Sequence, residues 1–263
     1  MTISPAKVKV AQAVILAAGR GSRMHGLTRD IPKCLVPLGG KPILAWTLDS
    51  LRVNGISDVL VVSGWQHEKL QGWAEHVRFN PNWSASNMVR SLQLAQDWLL
   101  RAPTLVVYGD GAYGPSAIAR ALEGPVSDWV LPVDRLWLAL WRRRFKEVLD
   151  DAETLVRCGQ LLLSIGARAT SLDQVQGQFM GLLRLQPIAW TRAAQWLARF
   201  EVEQGKDCVD RLDMTSLLQA LISQGETIQC VDVDGAWVEI DSASDLNTVQ
   251  GALKEPGFTH DFR

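Results

Sequence analysis

The sequence predicts a doubly wound α/β fold built on a mostly parallel sheet. Strand-like apolar runs alternate with helical stretches along the first half of the chain. The runs around Val14–Ala17, Val59–Val62 and Leu105–Val107 are continuously apolar, as strands buried on both faces are. The first run stops abruptly at Ala17-Ala18-Gly19. Small-residue loops of this kind follow a strand at the edge where open α/β sheets bind ligands.

The elements follow in order. Ala13 to Ala17 is the first strand. Pro42 to Val53 reads as a helix, with proline suited to its first turn and Gly55 as its stop. Asp58 to Ser63 is a buried strand, and Gln66 to His76 a second helix. Asn87 to Leu100 is a third helix, opened by Ser and Asn residues able to cap it. Thr104 to Tyr108 is a strand ending at Gly109-Asp110, Ser116 to Leu122 a short helix, and Trp129 to Val133 a strand. The rhythm breaks near Asp134. Trp137 to Leu149 reads as a helix or an irregular arm, and short strands including Phe179 to Leu185 follow. Helices over Ala189 to Glu203 and Met214 to Ser223, strands over Ile228 to Val233 and Trp237 to Ile240, and a last helix over Ser242 to Leu253 complete the chain. The tail from Lys254 carries Pro and Gly and is expected to be loose. We expect a single domain over 1–263, with residues 134–186 forming a subdomain within it.

Composition narrows the function. The chain has 263 residues and is 47% hydrophobic, enough for a sizeable core. Its 27 basic and 28 acidic residues leave a net charge of -1, which argues against a nucleic-acid partner held by bulk electrostatics. Cys34, Cys158, Cys208 and Cys230 form no metal-ligand spacing and read as free thiols of a reducing compartment. No apolar run reaches the roughly eighteen residues of a membrane span. Lys7 and Lys9 ahead of Val10–Ala18 faintly mimic a secretion signal, but a buried first strand accounts for that run better. A cytoplasmic protein is expected.

Chemistry concentrates at three places. After the first strand, Gly19-Arg20-Gly21-Ser22-Arg23-Met24 joins small residues to two arginines, and Pro32-Lys33 follows. Amide groups of such a loop cradle phosphate oxygens, and Arg and Lys supply countercharge. The loop is neither of the best-known phosphate loops: it lacks the G-x-x-x-x-G-K-[ST] spacing, and Met24 stands where a dinucleotide loop has glycine. His25 reads as a solvated loop residue. Asp110 and Asp241 each end a strand, where paired carboxylates can hold Mg²⁺ together with phosphates. Asp is also favoured as a helix N-cap, an alternative role for Asp241. Trp137, Trp141 and Phe145 recur every four residues beside Arg142-Arg143-Arg144. A stripe of this kind is most simply core, with the arginines on a solvated face.

Leu16-Ala17-Ala18-Gly19-Arg20-Gly21-Ser22-Arg23-Met24 with Pro32-Lys33 resembles the N-terminal motif of the nucleotidyltransferases that build NDP-sugars, CDP-choline and CMP-phosphonates. Ser86-Asn87-Met88-Val89-Arg90-Ser91-Leu92 resembles the Thr-Asn-Met-x-x-Ser-Leu segment of choline-phosphate and phosphonate cytidylyltransferases, with Ser86 in place of Thr. Val133-Asp134-Arg135-Leu136-Trp137, Asp151-Ala152-Glu153 and Gly177-Gln178-Phe179-Met180-Gly181-Leu182 resemble that branch's acceptor region. The resemblance runs from about Val14 to Leu246.

The resemblance implies a Rossmann-like fold of the nucleotide-diphospho-sugar transferase type with a small acceptor-binding arm. It implies CMP transfer from CTP to a small phosphonate or phosphorylated amino-alcohol, with pyrophosphate leaving. Leu16, Ala17, Ala18, Gly19, Gly21, Ser86, Asn87 and Asp110 would hold the nucleotide, and Asp110 and Asp241 the Mg²⁺. Arg23 would hold the outer phosphates, and Lys33 would bridge the α-phosphate and the incoming anion. Asp134, Trp137, Trp141, Arg142, Arg144 and Gly181 would form the acceptor site. Tryptophans there suit a quaternary ammonium, arginines a carboxylated phosphonate, and the arginine run tilts the reading to a phosphonate. The alternatives are a sugar-1-phosphate nucleotidyltransferase using UTP or dTTP, and a non-catalytic nucleotide-sensing domain of the same fold.

Overall fold

The computed structural model describes residues 9–263; Lys7, in the signal-like start, lies outside them. Strand β1 (Gln12–Ala17) occupies the middle of a parallel set, pairing in register with β4 (Asp58–Ser63) and β6 (Thr104–Tyr108). Two short strands, β2 (Pro37–Leu38) and β3 (Lys41–Pro42), form a hairpin before α1 (Ile43–Val53). β4 pairs outward with β5 (His76–Phe79), the edge strand. Beyond β6 the order is β12 (Leu182–Leu185), β8 (Trp129–Asp134), β13 (Ile228–Val233), β10 (Leu161–Arg168) and β9 (Glu153–Cys158). β12 runs antiparallel to both its neighbours, β10 is antiparallel to β13 and β9, and the short β11 (Gln178–Phe179) is antiparallel to β8. The main sheet is therefore mixed, with most strands parallel.

Alternation along β1 shows why the fold is doubly wound. Ala13, Ile15 and Ala17 pack into one core with residues of α1, α4 (Pro115–Glu123), α5 (Trp137–Arg144) and α9 (Ala243–Ala252). Val14 and Leu16 pack into the other, with α2 (Met88–Gln93), α3 (Gln96–Arg101), α6 (Pro187–Gln204) and α8 (Met214–Ser223). A continuous apolar strand needs both layers to remove its side chains from water. A second small sheet pairs β7 (Gly111–Tyr113) with β14 (Trp237–Glu239), and α7 (Lys206–Arg211) bridges α6 and α8.

Three expectations are corrected. The helix expected over Gln66 to His76 is a short 3₁₀ turn (His67–Leu70) followed by β5. Gln66 and Gly72 both take positive φ and interrupt it. The helix expected over Asn87 to Leu100 divides at Leu94-Ala95 into α2 and α3. The tail is not loose: Phe258, His260 and Phe262 are buried, and the Phe262 ring meets Trp46 edge-on at 5.2 Å. None of the described helices is long and apolar enough to cross a membrane.

Candidate active site

Two cavities open at the tips of the central strands and share Asp110 and Met88. The first, about 590 Å³, is lined by Leu16, Ala17, Ala18 and Gly19 from β1 and its loop, by Ser86 and Asn87, and by Lys33, Cys34, Trp83, Ser91, Gly109 and Asp110. Its floor is backbone and small side chains. Asn87 accepts a hydrogen bond from the Met88 amide at 2.8 Å, so it caps α2 and lines the cavity at once. Gly21 has φ +68, and a Cβ there would lie 2.8 Å from Lys33 Cδ. Glycine is thus what lets the loop close over the lysine stem.

Lys33 Nζ donates to Asp110 Oδ2 at 2.9 Å and to Asp241 Oδ1 at 2.7 Å. Burial disfavours the charged lysine, but the two carboxylates outweigh it and hold the ammonium well above its ordinary value. Arg23 Nη2 reaches Asp241 Oδ1 at 3.1 Å from a side chain that is 67% exposed, free to turn towards an anion in the cleft. Burial pushes the neighbouring Cys34 thiol up to about 12, which removes it as a nucleophile.

Sequence reasoning missed Glu239. One oxygen from each of Asp110, Glu239 and Asp241 lies within 4.8 Å of the others. β14 pairs Glu239 with Gly111, next to Asp110. The signal was present: residues two apart in a strand share a face, so Glu239 belongs with Asp241. Burial, then the Asp241 charge, raises the Glu239 carboxyl. Burial also opposes ionisation of Asp241, but Lys33, Arg23 and Arg144 outweigh it and hold that carboxyl below the usual range. The N-cap of α9 is Ser242, whose hydroxyl accepts from the Asp245 amide in a capping box. Asp241 therefore does not cap the helix. Three carboxylates converging on one point are the oxygen donor set that a hard divalent cation takes.

The second cavity, about 800 Å³, is acidic and aromatic. Asp151, Glu153 and Asp213 line it with Tyr108, Tyr113, Phe179, Trp141 and Trp237, and Gly181 closes one side. Gly181 has φ +71, and its missing Cβ leaves room for the Tyr108 ring. The described lining residues include no arginine or lysine.

The residues expected at the acceptor site scatter accordingly. Asp134 is sealed in the interior: it accepts from the Leu136 and Gly235 amides and from Trp237 Nε1 at 2.9 Å, and His260 Nε2 lies 2.8 Å away. A carboxylate so fully partnered has nothing to offer a ligand; it orients the Trp237 ring. Trp137 is a core residue that does not line the cavity, whereas Trp141 does. Arg142 is exposed. The Arg144 side chain is 0% exposed and paired with Glu239, Asp241 and Asp245. The aromatic stripe turned α5 so that the charged run divides between solvent and the carboxylate cluster.

Comparison with known proteins agrees with this geometry. The family model for the MobA-like NTP transferase domain matches residues 13–166. The CTP:phosphoglutamine cytidylyltransferase of Campylobacter jejuni is 31% identical over 246 residues, covering 89% of this chain and 97% of that protein. The choline-phosphate cytidylyltransferase of Streptococcus pneumoniae is 30% identical over 92 residues, 34% of this chain and 40% of that protein. The solved structure of the CTP:phosphocholine cytidylyltransferase of Streptococcus pneumoniae superposes with a TM-score of 0.71 at 20% identity, covering 92% of this chain and 98% of that one. At that identity the likeness speaks for the fold, here the nucleotide-diphospho-sugar transferase type. The chain therefore belongs to the MobA-like NTP transferase family and is a nucleotidyltransferase of its cytidylyltransferase branch.

Proposed function

We propose that this enzyme transfers CMP from CTP to a small phosphate or phosphonate that carries an amine or ammonium group. One observation carries the reading: a backbone-lined cavity and an acidic, aromatic cavity meet at Asp110, beside the Lys33 ammonium. The first suits a nucleotide, with the base near Ala17, Ala18 and Gly19, the ribose side near Ser86 and Asn87, and the triphosphate along the Gly19–Arg23 loop. The second suits a cationic head, which Glu153 and Asp213 would pair and the rings of Tyr108 and Phe179 would face. Trp141 Nε1 is a buried donor with no partner among the described residues, of the kind a bound group or water satisfies.

Asp110, Asp241 and Glu239 would hold Mg²⁺. Bound there, the ion would supply Lewis-acid polarisation of the α-phosphate. The chain itself positions the two anions and offsets their repulsion. An oxygen of the acceptor phosphate attacks the α-phosphorus, the new P–O bond forms, and the bond to the pyrophosphate oxygen breaks. Lys33 would leave its carboxylates to lie between the α-phosphate and the attacking oxygen, and Arg23 would neutralise the leaving pyrophosphate.

Relatives' names support the acceptor class. Besides phosphoglutamine and choline phosphate, a CMP-5'-(3-aminopropyl)phosphonate synthase of Streptomyces rubellomurinus is 34% identical over 122 residues, 43% of this chain and 19% of that protein. The tilt towards a phosphonate loses the support it drew from the arginine run, because Arg142 faces solvent and Arg144 is already neutralised. We place residues 134–186, with Asp213, as the acceptor-binding part of one domain. Free cysteines accord with a cytoplasmic, reducing setting.

Pyrophosphate release measured with each of four NTPs against aminoalkyl phosphates, aminoalkylphosphonates, phosphocholine, carboxyalkylphosphonates and sugar 1-phosphates tests the proposal. CTP with a nitrogen-bearing acceptor is the expected pair. A preference for UTP or dTTP with a sugar 1-phosphate, or no turnover with any pair, would refute it.

A further inference from the structure

The Arg144 side chain is 0% exposed, yet each of its donor groups meets a different carboxylate. Nη1 donates to Glu239 Oε2 at 2.9 Å, Nη2 to Asp241 Oδ2 at 3.2 Å and Nε to Asp245 Oδ1 at 3.0 Å. The guanidinium lies 4.9 Å from the Trp141 ring centre and 5.0 Å from that of Phe145. The aromatic faces and three anions leave it one orientation. Asp241 is consequently divided: Oδ2 goes to Arg144, while Oδ1 meets Lys33 Nζ at 2.7 Å and Arg23 Nη2 at 3.1 Å. Asp245 is fixed independently, its Oδ2 accepting from the Asp241 and Ser242 amides at 3.1 Å and 2.9 Å.

We propose that Arg144 is a positioning residue for the carboxylate cluster. Its planar fork takes one oxygen each from Glu239 and Asp241 and leaves the second oxygen of each for a divalent cation beside Asp110. A carboxylate free to rotate would offer either oxygen, or chelate with both. Pinning one oxygen fixes the direction from which the other binds, as hydrogen bonds behind metal ligands do elsewhere. The role needs arginine, since lysine is a point charge that cannot address three separated carboxylates in one plane. The inference rests on the divalent-cation reading above and assigns a cause to its geometry.

A countercharge role makes a different demand, and Mn²⁺ separates the two. Mn²⁺ affinity of the full-length protein is read from the free-ion electron paramagnetic resonance signal, with and without CTP, for wild type, Arg144→Lys and Arg144→Met. Circular dichroism and melting curves check folding. Positioning requires Arg144→Lys, which keeps the charge, to bind Mn²⁺ about 10–100-fold more weakly. It requires Arg144→Met to weaken binding as well, although removing a cation from an anionic cluster should by charge alone tighten it. If the methionine variant does not fold, the lysine variant decides. Mn²⁺ affinity within twofold of wild type in Arg144→Lys, or tighter binding in Arg144→Met, would overturn the inference while leaving the metal site intact. A wild-type protein that binds no Mn²⁺ in either condition would overturn the metal site and the inference together.

Discussion

The two cavities share Asp110 and differ in nearly everything else. The proposed nucleotide side is built from one strand and the loops beside it: small residues, backbone, and a helix cap at Asn87. The proposed acceptor side gathers side chains from β6, β9, β11, β14, α5 and the start of α8, and its polar groups are mostly carboxylates. The first offers close backbone approach and shape; the second offers charge. A nucleotide has many groups for a backbone to read, whereas a small acceptor has its phosphate and its head. The acceptor side therefore depends on a few charges held by long-range packing. Lys33 stands between them, its charge held by Asp110 and Asp241.

Mutations can break this division. The largest effects belong at the shared wall. Asp110→Ala and Asp241→Ala should each lower kcat/KM by about 10²–10³-fold or more, the scale of removing one preorganised electrostatic group, with circular dichroism unchanged. Near-normal turnover at saturating Mg²⁺ in either variant would remove that residue from the metal set. Lys33→Ala should cost a similar factor, of the order of 10²-fold, in kcat rather than in CTP affinity, because its charge matters most when two anions crowd one phosphorus. Isothermal titration with CTP, set beside steady-state kinetics, separates the two terms.

Effects at the acceptor side should be smaller and selective. Glu153→Gln should raise KM for a nitrogen-bearing acceptor by about tenfold, the scale of one lost charge-assisted contact, and leave KM for CTP alone. If CTP suffers equally, the two cavities are not separate sites. Burial raises the Glu153 carboxyl above the ordinary range, and the Asp213 and Asp151 charges add to it. Its negative charge therefore forms at higher pH than on an exposed glutamate. Acceptor KM should fall as pH rises through the range just above that of an ordinary glutamate, and Glu153→Gln should flatten that profile; an identical profile in the variant would assign the titration elsewhere. Arg142→Ala should leave every constant within about twofold, as an exposed surface change does. A rise in acceptor KM would return the arginine run to the site.

The same division sets what could be read from the sequence. Leu16 to Met24 and Pro32-Lys33 lie close together in the chain, so the anion-binding chemistry they suggest can be read from one short stretch. Asp110 and Asp241 were legible because each ends a strand. Glu239 was legible in principle through strand alternation, but its place beside Asp110 depends on the pairing of β14 with β7, which is not written in the local sequence. Asp134 and Arg144 were misplaced for a physical reason. Their partners, Trp237 with His260 and Glu239 with Asp245, lie about a hundred residues or more along the chain. No periodicity announces such partners. The buried tail was missed likewise, since composition showed Pro and Gly but not the Asp134 carboxylate that His260 reaches. Asp213 combines a helix cap with a cavity wall, and the sequence reading did not single it out for either role.

A structure of the enzyme with CTP, Mg²⁺ and an unreactive nitrogen-bearing phosphonate tests the central claim most directly. The account predicts the triphosphate against Ala18 to Met24, the base beside Ala17 and Asn87, and the ammonium beside Glu153 and Asp213. It also predicts the phosphonate and the α-phosphate on either side of Lys33. CTP on another face of the sheet, or the ammonium turned to solvent away from those carboxylates, would contradict it.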